Sequence, residues 1–248
     1  MKHPTLGILG GLGPMSSVYF YEMLTEHTKA SRDQEHLNLL IPSRADTPDR
    51  TAFITGASKV SPEPVMVSEA KRLVAAGADL LAIPCNTAHC FYDSICREVT
   101  VPVINIIRET ASFCSFLGVK RVGILATEGT VRSRAYETVL GELGLTCVLC
   151  TPEEQTHISH IIYEEIKQGK TPDLPRFLRV ADRLTERGCD ALILGCTELS
   201  LLKKYHLRDS RFVDSMEVLA CSAIARCGKE TVGFEGALAE FCPTPLLL

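Results

Sequence analysis

The chain has 248 residues, 46% hydrophobic and 23% charged, with a formal net charge of −4; this suits one large domain or two small lobes and excludes a disordered chain. No apolar run approaches the roughly 18 residues of a membrane helix, and Met1-Lys2-His3-Pro4 leads into a strand-like segment rather than a signal peptide, so a cytoplasmic protein with no membrane partner is expected. No basic stretch with interleaved aromatics is present, so no nucleic-acid partner is expected, and the eleven cysteines, odd in number and without framework spacing, read as reduced thiols.

Residues 6–9 read as the first strand and 18–29 as the first helix, followed by a strand at 37–41, a helix over 65–76 and a strand at 80–83. Further on, strands are expected at 103–106, 122–125, 147–149 and 191–194, with helices over 108–117, 134–143, 158–167 and 178–186. Such alternation builds an α/β fold with a mainly parallel sheet. Gly77, Gly118, Gly144 and Gly188 each follow a helical stretch, where a left-handed C-cap suits glycine.

The segment Ala78-Asp79-Leu80-Leu81-Ala82-Ile83-Pro84-Cys85-Asn86-Thr87 lies over Cys189-Asp190-Ala191-Leu192-Ile193-Leu194-Gly195-Cys196-Thr197-Glu198, Asp on Asp and Cys on Cys. A similar offset brings Gly7-Ile8-Leu9-Gly10-Gly11-Leu12-Gly13 near Gly123-Ile124-Leu125-Ala126-Thr127-Glu128-Gly129. Two similar α/β lobes related by a pseudo-twofold axis are implied. Ligands of open α/β sheets bind beyond the carboxyl ends of strands, so both cysteines are expected to face a cleft between the lobes.

Both Cys85 and Cys196 follow an apolar run and precede hydroxyl or amide residues at an expected helix start, where backbone N–H groups and the helix dipole lower a thiol pKa. Two opposed thiols suit inversion of a stereocentre: one removes a proton from one face while the other delivers a proton to the opposite face. Asn86, Thr87, Thr127, Thr130 and Thr197 lie at or just beyond strand ends and can donate to a carboxylate or a developing enediolate. Gly10-Gly11-Leu12-Gly13-Pro14 lacks the third glycine and the lysine of nucleotide loops; a tight turn with Pro14 opening a helix explains it equally. Cys147 and Cys150 form a lone CxxC without a second pair or a His-x3-His, so buried thiols are expected there, not a metal. His89 reads as a core or capping histidine, or as an acid or base near Cys85. By spacing alone, Arg50 and Lys167 are solvated charges.

At these residues the sequence resembles the aspartate/glutamate racemase superfamily, and its aspartate racemase branch in particular. The resemblance covers nearly the whole chain and is carried by the first glycine loop, Arg32-Asp33-Gln34-Glu35-His36, Pro48-Asp49-Arg50-Thr51-Ala52, Pro84-Cys85-Asn86-Thr87-Ala88-His89, Leu125-Ala126-Thr127-Glu128-Gly129-Thr130 and Gly195-Cys196-Thr197-Glu198. It implies a two-lobed pseudosymmetric fold, with residues 1–102 plus 211–248 in the N-terminal lobe and 103–210 in the C-terminal lobe. It further implies a homodimer using neither pyridoxal phosphate nor metal, with Cys85 and Cys196 as the acid/base couple. By the same resemblance Asn86, Thr87, Thr127 and Thr197 hold the α-carboxylate and amino group of an acidic amino acid, Arg50 and Lys167 grip its side-chain carboxylate, and Leu12 contributes its backbone. Glu198 stands where the glutamate branch usually carries histidine, which favours aspartate. The rivals are a glutamate or broad-specificity racemase, a decarboxylase or cis-trans isomerase on the same scaffold, and a non-catalytic amino-acid sensor.

Overall fold

In the computed structural model, which describes residues 4–207 and 209–241, every strand pairing within a sheet is parallel. The first sheet is built from β1 (Thr5–Ile8), β2 (Asn38–Leu40), β3 (Leu80–Ala82) and β4 (Val103–Ile104), in the order β2-β1-β3-β4. The second repeats that order as β6-β5-β7-β8, from β5 (Arg121–Ala126), β6 (Thr146–Leu149), β7 (Ala191–Gly195) and β8 (Phe212–Asp214). Central strands β3 and β7 are buried along their whole length, as parallel strands covered on both faces must be, so they read as continuous apolar runs. The first three residues, part of the segment expected not to be a signal peptide, and Cys242 lie outside the described residues.

In chain order the helices are α1 (Pro14–His27), α2 (Arg50–Thr55), α3 (Glu63–Ala75), α4 (Tyr92–Glu98), α5 (Ile106–Phe116) and α6 (Glu128–Arg132), then α7 (Ala135–Glu142), α8 (Pro152–His160), α9 (Leu174–Glu186), α10 (Thr197–His206) and α11 (Ser215–Arg226). At the starts of α2, α5, α9 and α11 side chains accept from otherwise unpaired N–H groups: Asp49 from Ala52, Asn105 from Arg108, Asp173 from Arg176, and Asp214 from Met216. The four glycines expected to end helices all have positive φ, from 72° to 98°.

Residues matched along the sequence play matched structural parts. The Asp79 carboxylate accepts from the N–H of Thr5 at the start of β1, at 2.8 Å; Asp190 accepts from Lys120 and Arg121 at the start of β5, at 2.8 and 2.9 Å. A Cβ on Gly7 would lie 2.6 Å from Leu81 and 2.9 Å from Ala78, and one on Gly123 would lie 2.6 Å from Leu192 and 3.3 Å from Cys189. Both glycines let the central strand approach its neighbours in the same way, once per lobe.

The lobes are not separate at their back. One apolar core joins Leu6, Phe20 and Ile104 of the first lobe to Ile124, Tyr136 and Leu140 of the second, with α5 and α11 packed between them. The expected lobe edges shift accordingly: β4, at 103–104, pairs with β3 in the first sheet, and β8, at 212–214, pairs with β7 in the second. Each sheet therefore ends a few residues later than the boundaries at 102 and 210, because its fourth strand is completed before the chain crosses over.

Where one helix over 158–167 was expected, three successive segments occur. Thr151 and Glu154 form a capping box that starts α8 early; a π turn follows at Ile161–Glu165, then a 3-10 turn at Ile166–Gln168, ended by Gly169 at φ 70°. A hydrophobic pattern of helical period does not distinguish these tighter and wider turns.

Gly7→Ala and Gly123→Ala should each lower the urea-unfolding free energy by about 1–3 kcal/mol through overpacking. Gly141→Ala, exposed in α7 with no atom within 4 Å of the added methyl, should raise it by about 0.5–1 kcal/mol.

Candidate active site

Cys85 follows β3 and Cys196 directly follows β7, so both thiols stand at the carboxyl ends of equivalent central strands. A cavity of about 280 Å³, its mouth included, is lined by Leu12, Arg50, Cys85, Asn86, Thr87, Thr127, Lys167, Cys196, Thr197 and Glu198, as expected from the sequence, whereas Thr130, expected with them, bonds to Thr87 and Thr127 without lining it. Asp49, Thr51 and Tyr163 line it too and were missed. Asp49 and Thr51 flank Arg50 in the chain, and Tyr163 precedes Lys167 by four residues; proximity to those two cations was the available signal.

Around Cys196 the contacts are electrostatic. Its thiol donates to Glu198 Oε2 at 2.9 Å, the other carboxylate oxygen lies 3.2 Å from Lys167 Nζ, and that ammonium sits 5.1 Å from the centre of the Tyr163 ring. Gly13 makes room for this arrangement, since a Cβ there would lie 2.7 Å from Glu198 Oε1. The thiol was expected to be acidified by the start of α10, which it does precede. Instead burial, and next the Glu198 carboxylate, hold Cys196 well above the ordinary thiol range, with Lys167 opposing them. Desolvation and a neighbouring anion outweigh the helix terminus. Burial works against the Lys167 charge as well, but Glu198 first and then Cys196, Cys85 and Tyr163 shift its pKa upward.

Cys85 has a different neighbour. Arg50 is only 8% exposed, which removes it from the solvated surface. Its Nη2 donates to Leu12 O at 2.6 Å, its Nη1 reaches the carbonyls of Thr47 and Pro48 at 3.4 and 3.3 Å, and its buried Nε has no partner. Burial disfavours the guanidinium charge, yet Cys85, Asp49 and Glu198 more than offset this. The chain after Cys85 forms a 3-10 turn, Thr87–Phe91, before α4 begins.

Hydroxyls and an amide close the cleft between these two poles. Thr87 of the first lobe lies 2.8 Å from Thr127 and 2.9 Å from Thr130 of the second, and the latter two are 3.1 Å apart. Thr127 also caps α6, so one residue both lines the cavity and starts a helix. Asn86 donates to Ser215 Oγ at 3.0 Å and accepts from the Tyr136 hydroxyl at 2.7 Å. Burial, with Thr51 opposing, pushes the Tyr163 phenol up to about 12.

His89 is a strut rather than a partner of the Cys85 sulfur. Its Nδ1 lies 2.9 Å from Cys85 O and its Nε2 accepts from Ile106 N at 3.2 Å; burial lowers its pKa to about 4, so the ring is neutral. Cys147 and Cys150 are pushed up to about 12 by burial, and among the described residues no group of three His, Cys, Asp or Glu is placed to hold a metal ion.

A family model described as Asp/Glu/hydantoin racemase matches residues 9–223. The broad-specificity amino-acid racemase RacX of Bacillus subtilis is 26% identical in an alignment that covers 89% of this chain and 96% of that one. A glutamate racemase of Koribacter versatilis is 30% identical over 164 residues, 61% of this chain and 54% of its own length. In structure, the aspartate racemase of Picrophilus torridus superimposes with a TM-score of 0.79 at 28% identity, covering 96% of this chain and all of that one.

The His89 environment generates a pH test. Its folded pKa is depressed from 6.5 to about 4, so its contribution is complete above pH 6.5 and is lost as pH falls towards 4. Between pH 7 and pH 5 the unfolding free energy should drop by about 2 kcal/mol more in the wild type than in His89→Gln, as measured by urea titration at both values.

Proposed function

This chain belongs to the Asp/Glu/hydantoin racemase family, and we propose that it interconverts L- and D-aspartate by proton transfer between Cys85 and Cys196, with no cofactor taking part. The observation that carries this reading is the meeting of two buried thiols, one from each lobe, at equivalent strand ends around one small cavity.

In the proposed reaction one cysteine thiolate takes the α-proton, leaving a planar carbanion whose charge spreads into the carboxylate. The other thiol delivers its proton to the opposite face. In the proposed cycle Cys196, whose thiol donates to Glu198, is the first proton donor, and Cys85 is the first base. The assignments exchange after each inversion. Thr87, Thr127, Thr197 and Asn86 hold the α-carboxylate and amino group, and their oriented dipoles stabilise the enediolate. Arg50 and Lys167 take the side-chain carboxylate, for which Lys167 must loosen its 3.2 Å contact with Glu198.

Broad specificity is the second reading, favoured by the same contact. Glu198 already neutralises Lys167, so a substrate without a second carboxylate leaves no bare cation, and RacX is similar over nearly the full chain.

Cys85→Ala and Cys196→Ala should each reduce aspartate racemisation by about 10²- to 10⁴-fold in a chiral chromatographic assay; retention of wild-type turnover by both would overturn the two-cysteine mechanism. Lys167→Met should cut kcat/KM for aspartate by roughly 10- to 150-fold, the worth of a charged hydrogen bond. An equal effect on aspartate and alanine would instead support the broad-specificity reading.

A further inference from the structure

A buried hydrogen-bond chain joins the loop of Cys85 to the strand of Cys196. The Tyr136 hydroxyl of α7 donates to Asn86 Oδ1 at 2.7 Å, Asn86 Nδ2 donates to Ser215 Oγ at 3.0 Å, and Ser215 donates to Leu194 O at 2.7 Å. Asn86 follows Cys85 directly, and Leu194 precedes Cys196 by two residues. The direction of donation is fixed from its end: Ser215 spends its single proton on a carbonyl, so its oxygen accepts from the amide, and the amide oxygen is left for tyrosine.

Tyr136 also touches the other cysteine segment. A Cβ on Gly195, the residue just before Cys196, would lie 3.1 Å from Tyr136 Cε2, so the absence of a side chain there lets the ring seat against the strand end. Tyr136, Asn86 and Ser215 are at most 3% exposed, and burial keeps the phenol protonated as a donor. Ring packing alone would be served equally by phenylalanine. The polar chain adds a fixed connection between the two segments that each bring a thiol to the cavity.

We propose that Tyr136 is a positioning residue for the thiol pair: with its ring against Gly195 and its hydroxyl on Asn86, it sets the separation of Cys85 and Cys196 across the substrate. This rests on the two-cysteine reading of the function. One thiolate can take the α-proton, exchange it with solvent and return a deuteron to the same face; inversion alone needs the second thiol at the correct distance. Loss of the Tyr136 hydroxyl therefore separates two readouts that a general loss of folded protein moves together.

The test follows Tyr136→Phe and Ser215→Ala with L-aspartate in D2O, recording deuterium retained in the L-form and conversion to the D-form. The ratio of inversion to retained exchange should fall by about 10- to 100-fold in both variants, the scale of an ångström of misplacement. An unchanged ratio in both, whatever the absolute rates, overturns the proposal while a racemising wild type leaves the two-cysteine reading intact. A wild type that neither exchanges nor inverts overturns both. If Tyr136→Phe does not fold, the ratio in Ser215→Ala decides.

Discussion

The apolar core shared by α1, α5, α7 and α11 holds two parallel sheets so that the ends of their central strands face one cavity. Without that common core, each lobe could bury its own helices but nothing would fix one thiol relative to the other. Close-packed interiors resist sliding, and here the packing is set by small residues at repeated places. Gly7 and Gly123 admit Leu81 and Leu192, while Gly129 lets α6 approach Thr51 and Thr87, where a Cβ would meet them at 2.7–2.9 Å. The positions of the thiols thus follow from the core rather than from any contact between the cysteines themselves.

Charge is distributed unequally around this nearly symmetric frame. A buried ion costs several kcal/mol unless it is paired and hydrogen-bonded. On the Cys196 side, Lys167 and Glu198 compensate one another, and the carboxylate also receives the thiol proton. On the Cys85 side, Arg50 is held by carbonyl oxygens and keeps one buried N–H without a partner. An incoming anion therefore meets one cation that is already engaged and one that is incompletely satisfied. In the proposed reaction, substrate binding rearranges the first pair, which ties access to Lys167 to the environment of the thiol that donates to Glu198.

Much of the fold was legible because parallel strands buried on both faces leave continuous apolar runs, and because the internal repeat placed Asp79 over Asp190 and Cys85 over Cys196. The residues that line the cavity followed from strand-end position and from the resemblance carried by the cysteine motifs. Short elements escaped: α2 and β8 have six and three residues, too few to show a period. The π turn at Ile161–Glu165 escaped as well, although it lies in the segment that brings Tyr163 and Lys167 to the cavity. Cys196 was read as acidified by its helix because sequence shows the helix start but not the depth of burial, and Tyr136 was unreadable because its partners lie 50 residues away along the chain and further.

Isotopic labelling of the first product examines the two-thiol mechanism itself. The purified protein, kept reduced and without added pyridoxal phosphate, is given L-aspartate in D2O, and the D-aspartate formed in the first few per cent of conversion is analysed by mass. Two opposed thiols require that this D-aspartate carry deuterium at Cα, since its new proton comes from a cysteine equilibrated with solvent. D-aspartate that retains the substrate's own α-proton would contradict the mechanism and point to a single base working on both faces.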